Sequence, residues 1–200
     1  MLDRTDVRCP HVFEMHDGYS IRGQRPLAKP VKHFVDRAGG KWQRGRQPSR
    51  RSSEAFRLTV VGNGGLRSEL EAQTRNHGLE SAVTFAGRVP NDDLPGIYAA
   101  HDVFCYPGRW DEPFGRVFLE ALATGTPTVA SDVGSVGDIV GGGGRTTDGT
   151  PHGFVDTILG LVRTGKLRTV SEAATRKVEE YRAETVVPRF VALYERSLDR

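Results

Sequence analysis

The fold is decided by residues 102–131, which read DVFCYPGRWDEPFGRVFLEALATGTPTVAS. The two ends of this stretch, DVFCYP at 102–107 and TPTVAS at 126–131, are short apolar runs that predict buried strands. The residues between them predict a helix that begins close to Phe114 or Gly115. Two strands joined by a helix over about 30 residues are typical of a parallel pair.

The same unit recurs before this segment. FRLTVVG at 56–62 is a β-branched run that ends in a glycine turn, and LRSELEAQTRNHG at 66–78 follows as an amphipathic helix. VTFAG at 83–87 predicts the next strand, and LPGIYAA at 94–100 predicts a short helix. The sequence therefore predicts the α/β class, as a Rossmann-like parallel sheet with helices on both faces.

After Gly141 the strand signal fades, and GGGGRTTDGTPHG at 141–153 is expected to be a loop. Beyond it the sequence predicts three closing helices, FVDTILGLVR, SEAATRKVEEYR and TVVPRFVALYERSL. The last of these repeats apolar residues at intervals of three and four, as an amphipathic helix does.

Composition favours one globular domain in the cytoplasm. The chain has 200 residues, of which 37% are hydrophobic, and it shows neither an apolar signal core at its start nor an apolar run of membrane-spanning length. The two cysteines, Cys9 and Cys105, are far apart without metal-ligand spacing, so both are expected to be reduced, with Cys105 in the core.

The positive charge is concentrated near the N-terminus. Residues 1–53 hold twelve Lys and Arg against five Asp and Glu, in a chain whose net charge is +3, so the remainder carries a net negative charge. GGKWQRGRQPSRRSS at 39–53 has no apolar periodicity, which predicts a poorly ordered basic arm over residues 1–54. Contact of this arm with an anionic membrane surface or with nucleic acid is the functional alternative to a solvated segment.

Glu112 and Glu120 flank the predicted helix start, eight residues apart. The spacing carries no information alone, because Glu172 and Glu180 have the same spacing in a stretch without a strand, a glycine or a helix start between them. The setting of the first pair differs. Glu112 and Glu120 follow the carboxyl end of a predicted parallel strand, which is where ligands bind in open α/β sheets.

A helix that begins near Gly115 offers backbone N–H groups without intrahelical partners, and these favour phosphate. Glu120 would lie about 7.5 Å along the helix axis from that point, which suits a ribose attached to the phosphate. A carboxylate at that distance accepts hydrogen bonds from vicinal ribose hydroxyls. From these residues alone, a helix-capping acid plus a surface acid remains an equal alternative.

These segments resemble the retaining glycosyltransferases of family 4, specifically the C-terminal, nucleotide-sugar-binding half of their two-domain GT-B fold. The resemblance lies in EPFGRVFLEALATGTPTVASDVGS, in VVGNGGLRSELE and in VTFAGRVPNDDLPGIYAAHDVFCYPG, which occur in order and with matching spacing over about residues 56–140. It implies that 55–200 form the nucleotide-sugar-binding domain. Residues 1–54 are then the basic arm or a remnant of the acceptor domain, to which VFEM at 12–15 would belong.

The resemblance also implies the reaction and its residues. A sugar would move from a nucleoside diphosphate sugar to a hydroxyl of a glycan or lipid-linked acceptor, with retention at the anomeric carbon and without a metal or other cofactor. Glu112, the expected catalytic residue, would hold hydroxyls of the donor sugar, and Glu120 would hold the ribose. The remaining contacts would be made by backbone: the diphosphate by Phe114, Gly115, Arg116 and Val117, and the base by Val89.

Two parts of the family pattern are missing upstream of residue 56. The Arg and Lys that clamp the diphosphate have no match in AGGKWQRGRQPSRRSS, and the acceptor domain is not recognisable. The chain alone is therefore expected to bind its donor weakly and to transfer slowly, and a separate acceptor-domain subunit is an expected partner.

Three other interpretations remain. The chain could be an inactive domain that binds a nucleotide sugar without transferring it. It could be an NAD(P)-binding Rossmann protein, although Arg67 stands where G-x-G-x-x-G requires its third glycine. Nucleic-acid binding by the basic arm is disfavoured, because aromatic residues other than Trp42 are missing from its basic cluster.

Overall fold

The computed structural model describes residues 57–108, 111 and 113–198, together with the backbone of 11–15. Within these residues six strands form one parallel sheet. The strands are β1 (His11–Met15), β2 (Arg57–Val61), β3 (Val83–Gly87), β4 (Val103–Tyr106), β5 (Thr128–Ser131) and β6 (Gly144–Thr147). The α-helices are α1 (Arg67–Asn76), α2 (Leu94–Ala99), α3 (Arg116–Ala123), α4 (Val136–Val140), α5 (Pro151–Arg163), α6 (Leu167–Val178) and α7 (Ala183–Leu198).

The strand order is β3-β2-β1-β4-β5-β6. From β1 the sheet is built outward in one direction through β2 and β3, and then in the other direction through β4, β5 and β6. The direction therefore reverses between β1 and β4, and such a switch point opens a crevice at the carboxyl ends of the strands. The loop between β4 and α3 leaves the sheet at this place.

The helices cover both faces of the sheet, and two separate clusters of buried side chains hold them there. One cluster joins the strands to α1, α5 and α6, through residues such as Leu70, Ile158 and Val170. The other joins them to α2, α3 and α4, through residues such as Tyr98, Phe118 and Ile139. Because parallel crossovers are right-handed, reversing the direction of sheet growth moves the connecting helices to the opposite face.

Most predicted elements are confirmed. The strands expected at 56–62, 83–87, 102–107 and 126–131 correspond to β2, β3, β4 and β5, and the three closing helices correspond to α5, α6 and α7. Cys105 is buried in the first cluster, as expected. The α/β class with a parallel sheet and helices on both faces is therefore correct.

The expectation that 141–153 form a loop is wrong, because Gly144–Thr147 pair in parallel with β5 as the strand β6. The sequence GRTT has no apolar residue, so it carries no strand signal of its own. A side chain at Gly144 would collide with the carbonyl of Thr128 and with Val140, so β6 depends on glycine for its close approach to β5.

The position of β1 corrects the predicted division at residue 54. His11–Met15 pair in parallel with β2 on one side and with β4 on the other, so this strand lies in the centre of the sheet. It belongs to the same sheet as the strands of 55–200 and is not part of a separate arm or acceptor domain. The rest of the predicted arm lies outside the described residues.

Helix α7 differs from the others because none of its residues is buried. Its large apolar side chains are between 49% and 84% exposed, and they are Val187, Phe190, Val191, Leu193, Tyr194 and Leu198. The apolar repeat predicted for this segment therefore forms a helix that presents an unpacked apolar surface. In the part of the chain that the structure describes, no helix has both the length and the apolar character needed to cross a bilayer.

Candidate functional site

The candidate site lies at the carboxyl end of β4, beside the switch point of the sheet. The chain leaves β4 after Tyr106 and enters α3 at Arg116. Glu112, the expected catalytic residue, lies outside the described residues, so its role stays a prediction. The described part of the connection reaches the start of α3 through Pro113, Phe114 and Gly115.

Gly115 makes the turn into α3 and confirms the predicted helix start. It occupies the N-cap position with φ 64° and ψ 74°, which is left-handed backbone that side chains disfavour. The first turn closes when the N–H of Phe118 donates to the carbonyl of Gly115 at 3.0 Å. The N–H groups of Arg116 and Val117 precede that bond, so at the positive end of the helix dipole they have no partner within α3.

Gly115→Ala is expected to lower the free energy of unfolding by about 1 to 2 kcal/mol, because alanine must adopt left-handed backbone there. The matched control is Gly160→Ala in α5, where an added Cβ meets nothing within 4 Å and helical propensity is expected to raise stability. Urea denaturation of both variants measures the difference. Equal stability changes in the two variants would contradict the turn geometry.

Two contacts from distant parts of the chain hold the residues next to Gly115. The hydroxyl of Ser135 donates to the carbonyl of Pro113 at 2.7 Å. The ring of Phe114, which is 46% exposed, meets the ring of Tyr181 edge-on with centroids 6.0 Å apart. Sequence reasoning missed both partners, because Ser135 and Tyr181 follow this turn at separations that no local motif covers.

Tyr181 is in turn covered by Lys177, whose Nζ lies 5.6 Å from the ring centroid. The same Nζ donates to Glu180 at 2.7 Å, and this hydrogen bond raises the pKa of Lys177 above its ordinary value. Phe114 is therefore supported by the segment that connects α6 to α7.

Glu120 lies one turn into α3, and its side chain is 34% exposed. The hydroxyl of Tyr98 in α2 donates to Oε2 of Glu120 at 3.4 Å. On the outer side, Nη2 of Arg116 lies 3.6 Å from Oε1. The carboxylate is thus held between a buried phenol and an exposed guanidinium, one turn from the N–H groups of Arg116 and Val117 at the start of the helix.

The comparison pair, Glu172 and Glu180, has no such setting. Glu172 pairs with Arg168 at 3.1 Å and Glu180 pairs with Lys177 at 2.7 Å, and both acids are more than half exposed. These are ion pairs on a solvated surface, and pairs of this kind contribute little to stability. Two stretches with the same spacing therefore have different surroundings, and of the first pair only Glu120 lies within the described residues.

Val89, expected to border the nucleotide base, follows β3 on the same edge of the sheet. Its side chain is partly buried and packs against the cluster that contains Tyr98 and Phe118. Strands β3 and β4 are three inter-strand spacings apart, about 14 Å between strand axes. The role of Val89 toward a base stays a prediction.

The glycine turn after β2 has features that disfavour a dinucleotide site. The guanidinium of Arg67 donates to Oδ1 of Asn63 and to Glu71, at 2.8 Å in each case, and lies over the ring of Phe85. The third glycine of a dinucleotide fingerprint leaves the space between helix and strand without a side chain, so that the two can pack closely. Here the space holds a side chain that is already bonded to its neighbours.

Comparison with known families gives a match over residues 46–178, to the family described as Glycosyl transferases group 1. Among individual proteins, the chain is 34% identical over 134 residues to a GDP-mannose-dependent alpha-(1-6)-phosphatidylinositol monomannoside mannosyltransferase of Mycobacterium tuberculosis. That match covers 64% of this chain and 34% of the relative. It is also 35% identical over 117 residues to the 2-deoxystreptamine glucosyltransferase of Streptomyces kanamyceticus, which covers 56% of this chain and 30% of the relative.

Solved structures agree on the fold. The HepE protein of Anabaena, in complex with UDP and glucose, superposes with a TM-score of 0.67 at 24% identity, over 95% of this chain and 49% of that one. The sucrose-phosphate synthase of Thermosynechococcus elongatus gives a TM-score of 0.69 at 22% identity, over 97% and 47%. The chain spans about half the length of these structures, and it has the fold of one half of a GT-B protein.

Proposed function

Because this chain belongs to the group 1 glycosyl transferases, we propose that it binds a nucleoside diphosphate sugar and takes part in transferring the sugar to an acceptor hydroxyl. We further propose a retaining reaction without a metal, as the resemblance to family 4 implies. The bond between the anomeric carbon and the diphosphate oxygen breaks, and the acceptor oxygen bonds to that carbon on the same face. The diphosphate leaves with the bonding electrons, and its oxygen accepts the proton that the acceptor hydroxyl loses.

One observation carries this proposal: the left-handed turn at Gly115 starts α3 at the switch point, with the carboxylate of Glu120 one turn further on. The N–H groups of Arg116 and Val117 suit the diphosphate, and they stabilise the charge that it gains as it leaves. Glu120 would accept hydrogen bonds from the ribose hydroxyls. Glu112 would hold the donor sugar, and the backbone of Val89 would border the base.

The acceptor site is proposed to lie on a second domain of similar size. The chain matches only about half of the solved structures that it resembles. Helix α7 exposes six large apolar side chains and buries none, which is typical of a surface that another part of a protein covers. We propose that this second domain packs against α7, whether it belongs to the same polypeptide or to a separate subunit.

The proposed acceptor is a glycan or a lipid-linked hydroxyl, and the proposed location is the cytoplasm, with contact to an anionic membrane surface through residues 1–53. Lys and Arg in that segment support membrane contact by charge alone.

The function is tested by titrating the purified chain with UDP, GDP and ADP, and with their glucose and mannose conjugates. Ligand-observed NMR is suitable, because weak binding is expected. One nucleoside diphosphate should bind, and the matching monophosphate should bind less tightly, because it lacks the phosphate that reaches the start of α3. Binding of NAD or NADP without binding of any nucleoside diphosphate would overturn the proposal.

The transfer step has a separate test. A donor that binds should be consumed faster when an acceptor domain from a relative is added, as measured by release of the nucleoside diphosphate. Binding without release under any such condition would favour the alternative of a binding domain that does not catalyse transfer.

A further inference from the structure

We propose that Tyr98 is a positioning residue, which orients the carboxylate of Glu120 so that the site distinguishes ribonucleotides from 2′-deoxyribonucleotides. This inference rests on the proposed function, in which Glu120 receives the ribose hydroxyls. Tyr98 acts through Glu120 and does not itself contact the ligand.

Tyr98 is held more rigidly than an ordinary surface donor. Its side chain is fully buried, and its ring meets the ring of Phe104 edge-on with centroids 5.3 Å apart. The hydroxyl of Thr126, at the entrance to β5, donates to the backbone carbonyl of Tyr98 at 2.7 Å. Ring and backbone are thus fixed to two strands of the sheet, so the phenolic oxygen has a defined position relative to α3.

The two oxygens of Glu120 have different surroundings. Oε2 faces the fixed phenol of Tyr98 at 3.4 Å, whereas Oε1 faces Arg116 at 3.6 Å, and the Arg116 side chain is 77% exposed. An exposed ion pair of this kind is weak and is readily exchanged for another partner. The outer oxygen is therefore the one that a ligand hydroxyl can take over, while the inner oxygen stays bonded to Tyr98.

The contact between Tyr98 and Glu120 is long for a hydrogen bond between oxygens. A ligand that bonds to the other carboxylate oxygen can shorten such a contact by completing the network. Ribose hydroxyls that donate to Oε1 would fix the carboxylate plane, and the phenol would then support the plane from inside. A ribose with two vicinal hydroxyls should gain more binding free energy from this arrangement than a deoxyribose. Its two donors can bond to the carboxylate together only when the carboxylate has one orientation.

The test measures the ratio of dissociation constants for 2′-deoxy-UDP and UDP, with the corresponding GDP and ADP pairs included. Tyr98→Phe removes only the hydroxyl and keeps the ring against Phe104. Tyr194→Phe, on the exposed surface of α7, is the control for loss of a tyrosine hydroxyl. Any partial unfolding weakens both ligands by the same factor, so it cancels in the ratio.

The parent chain is expected to prefer the ribonucleotide, and Glu120→Ala should remove that preference. Tyr98→Phe should reduce it by about threefold or more, since a hydrogen bond to a charged group orients the acceptor. Tyr194→Phe should leave it unchanged. An unchanged ratio in Tyr98→Phe, with the preference lost in Glu120→Ala, would overturn the role of Tyr98 and leave the proposed function intact.

A parent chain that binds nucleoside diphosphates without any ribose preference would overturn the role of Glu120, and the role of Tyr98 with it. A parent chain that binds none of the three nucleotides would overturn the proposed function itself. The three results are distinguishable, because each gives a different combination of two quantities. These are the affinity for nucleoside diphosphates and the ratio of dissociation constants for the 2′-deoxy and ribo forms.

Discussion

Replacing Glu120 with alanine is expected to weaken binding of the preferred nucleoside diphosphate by about tenfold to a hundredfold, the range for a lost hydrogen bond to a charged group. The reason is geometric. The carboxylate lies one turn into α3 and is contacted by Tyr98, so alanine at this position removes both the acceptor and its fixed placement. Isothermal titration or NMR titration with UDP, GDP and ADP provides the measurement.

Glu172→Ala is the matched control, because Glu172 belongs to a pair with the same spacing and is 53% exposed in an ion pair with Arg168. It should leave nucleotide affinity unchanged. If Glu120→Ala binds every nucleotide as tightly as the parent chain, the ribose role of Glu120 is wrong. Equal losses in both variants would point to a general effect of charge and would also contradict that role.

Phe118→Ala is expected to cause the largest loss of stability, about 3 to 5 kcal/mol in the free energy of unfolding. Phe118 is fully buried, and its ring lies 5.0 Å from that of Tyr106 and 6.3 Å from that of Phe104. Truncation leaves a cavity between α3 and the sheet. Because domains are stable by only about 5 to 15 kcal/mol, this loss would remove a large part of the total free energy of unfolding.

Phe114→Ala is the control for that variant, since it makes the same truncation four residues earlier on a ring that is 46% exposed. Its stability change, measured by urea denaturation, should be much smaller, because little apolar area returns to water. Similar losses in the two variants would contradict the assignment of Phe118 to the core and of Phe114 to the surface of the turn.

The strands that were predicted correctly share one property. FRLTVVG, VTFAG, DVFCYP and TPTVAS are each rich in apolar or β-branched residues, so the requirement for burial is visible in every one of them. β6 has no such pattern, because GRTT lies at the edge of the sheet and pairs through its backbone. β1 was misassigned because its partners follow it by more than 40 residues, so no local pattern shows which sheet it joins.

At the candidate site, the sequence predicted where α3 begins but not the contacts that support this turn. The start of α3 at Gly115 followed from local rules for glycine and helix termini, and it is confirmed. The supporting contacts did not follow from such rules. These contacts form because the sheet brings separate segments of the chain to one edge. They are the hydrogen bonds from Tyr98 to Glu120 and from Ser135 to Pro113, and the ring contact between Tyr181 and Phe114.

The sequence by itself determined the α/β class, the order of most elements and the turn at which α3 begins, because burial and backbone conformation are requirements that each segment meets locally. Only the tertiary structure decided that β1 lies at the centre of the sheet and that the direction of the sheet reverses beside it. It also decided that Glu120 is contacted by a buried phenol from another helix, whereas Glu172 and Glu180 lie in surface ion pairs. Pairing and packing join residues that are distant in the chain, and the free energy of those contacts depends on the whole arrangement and not on any one segment.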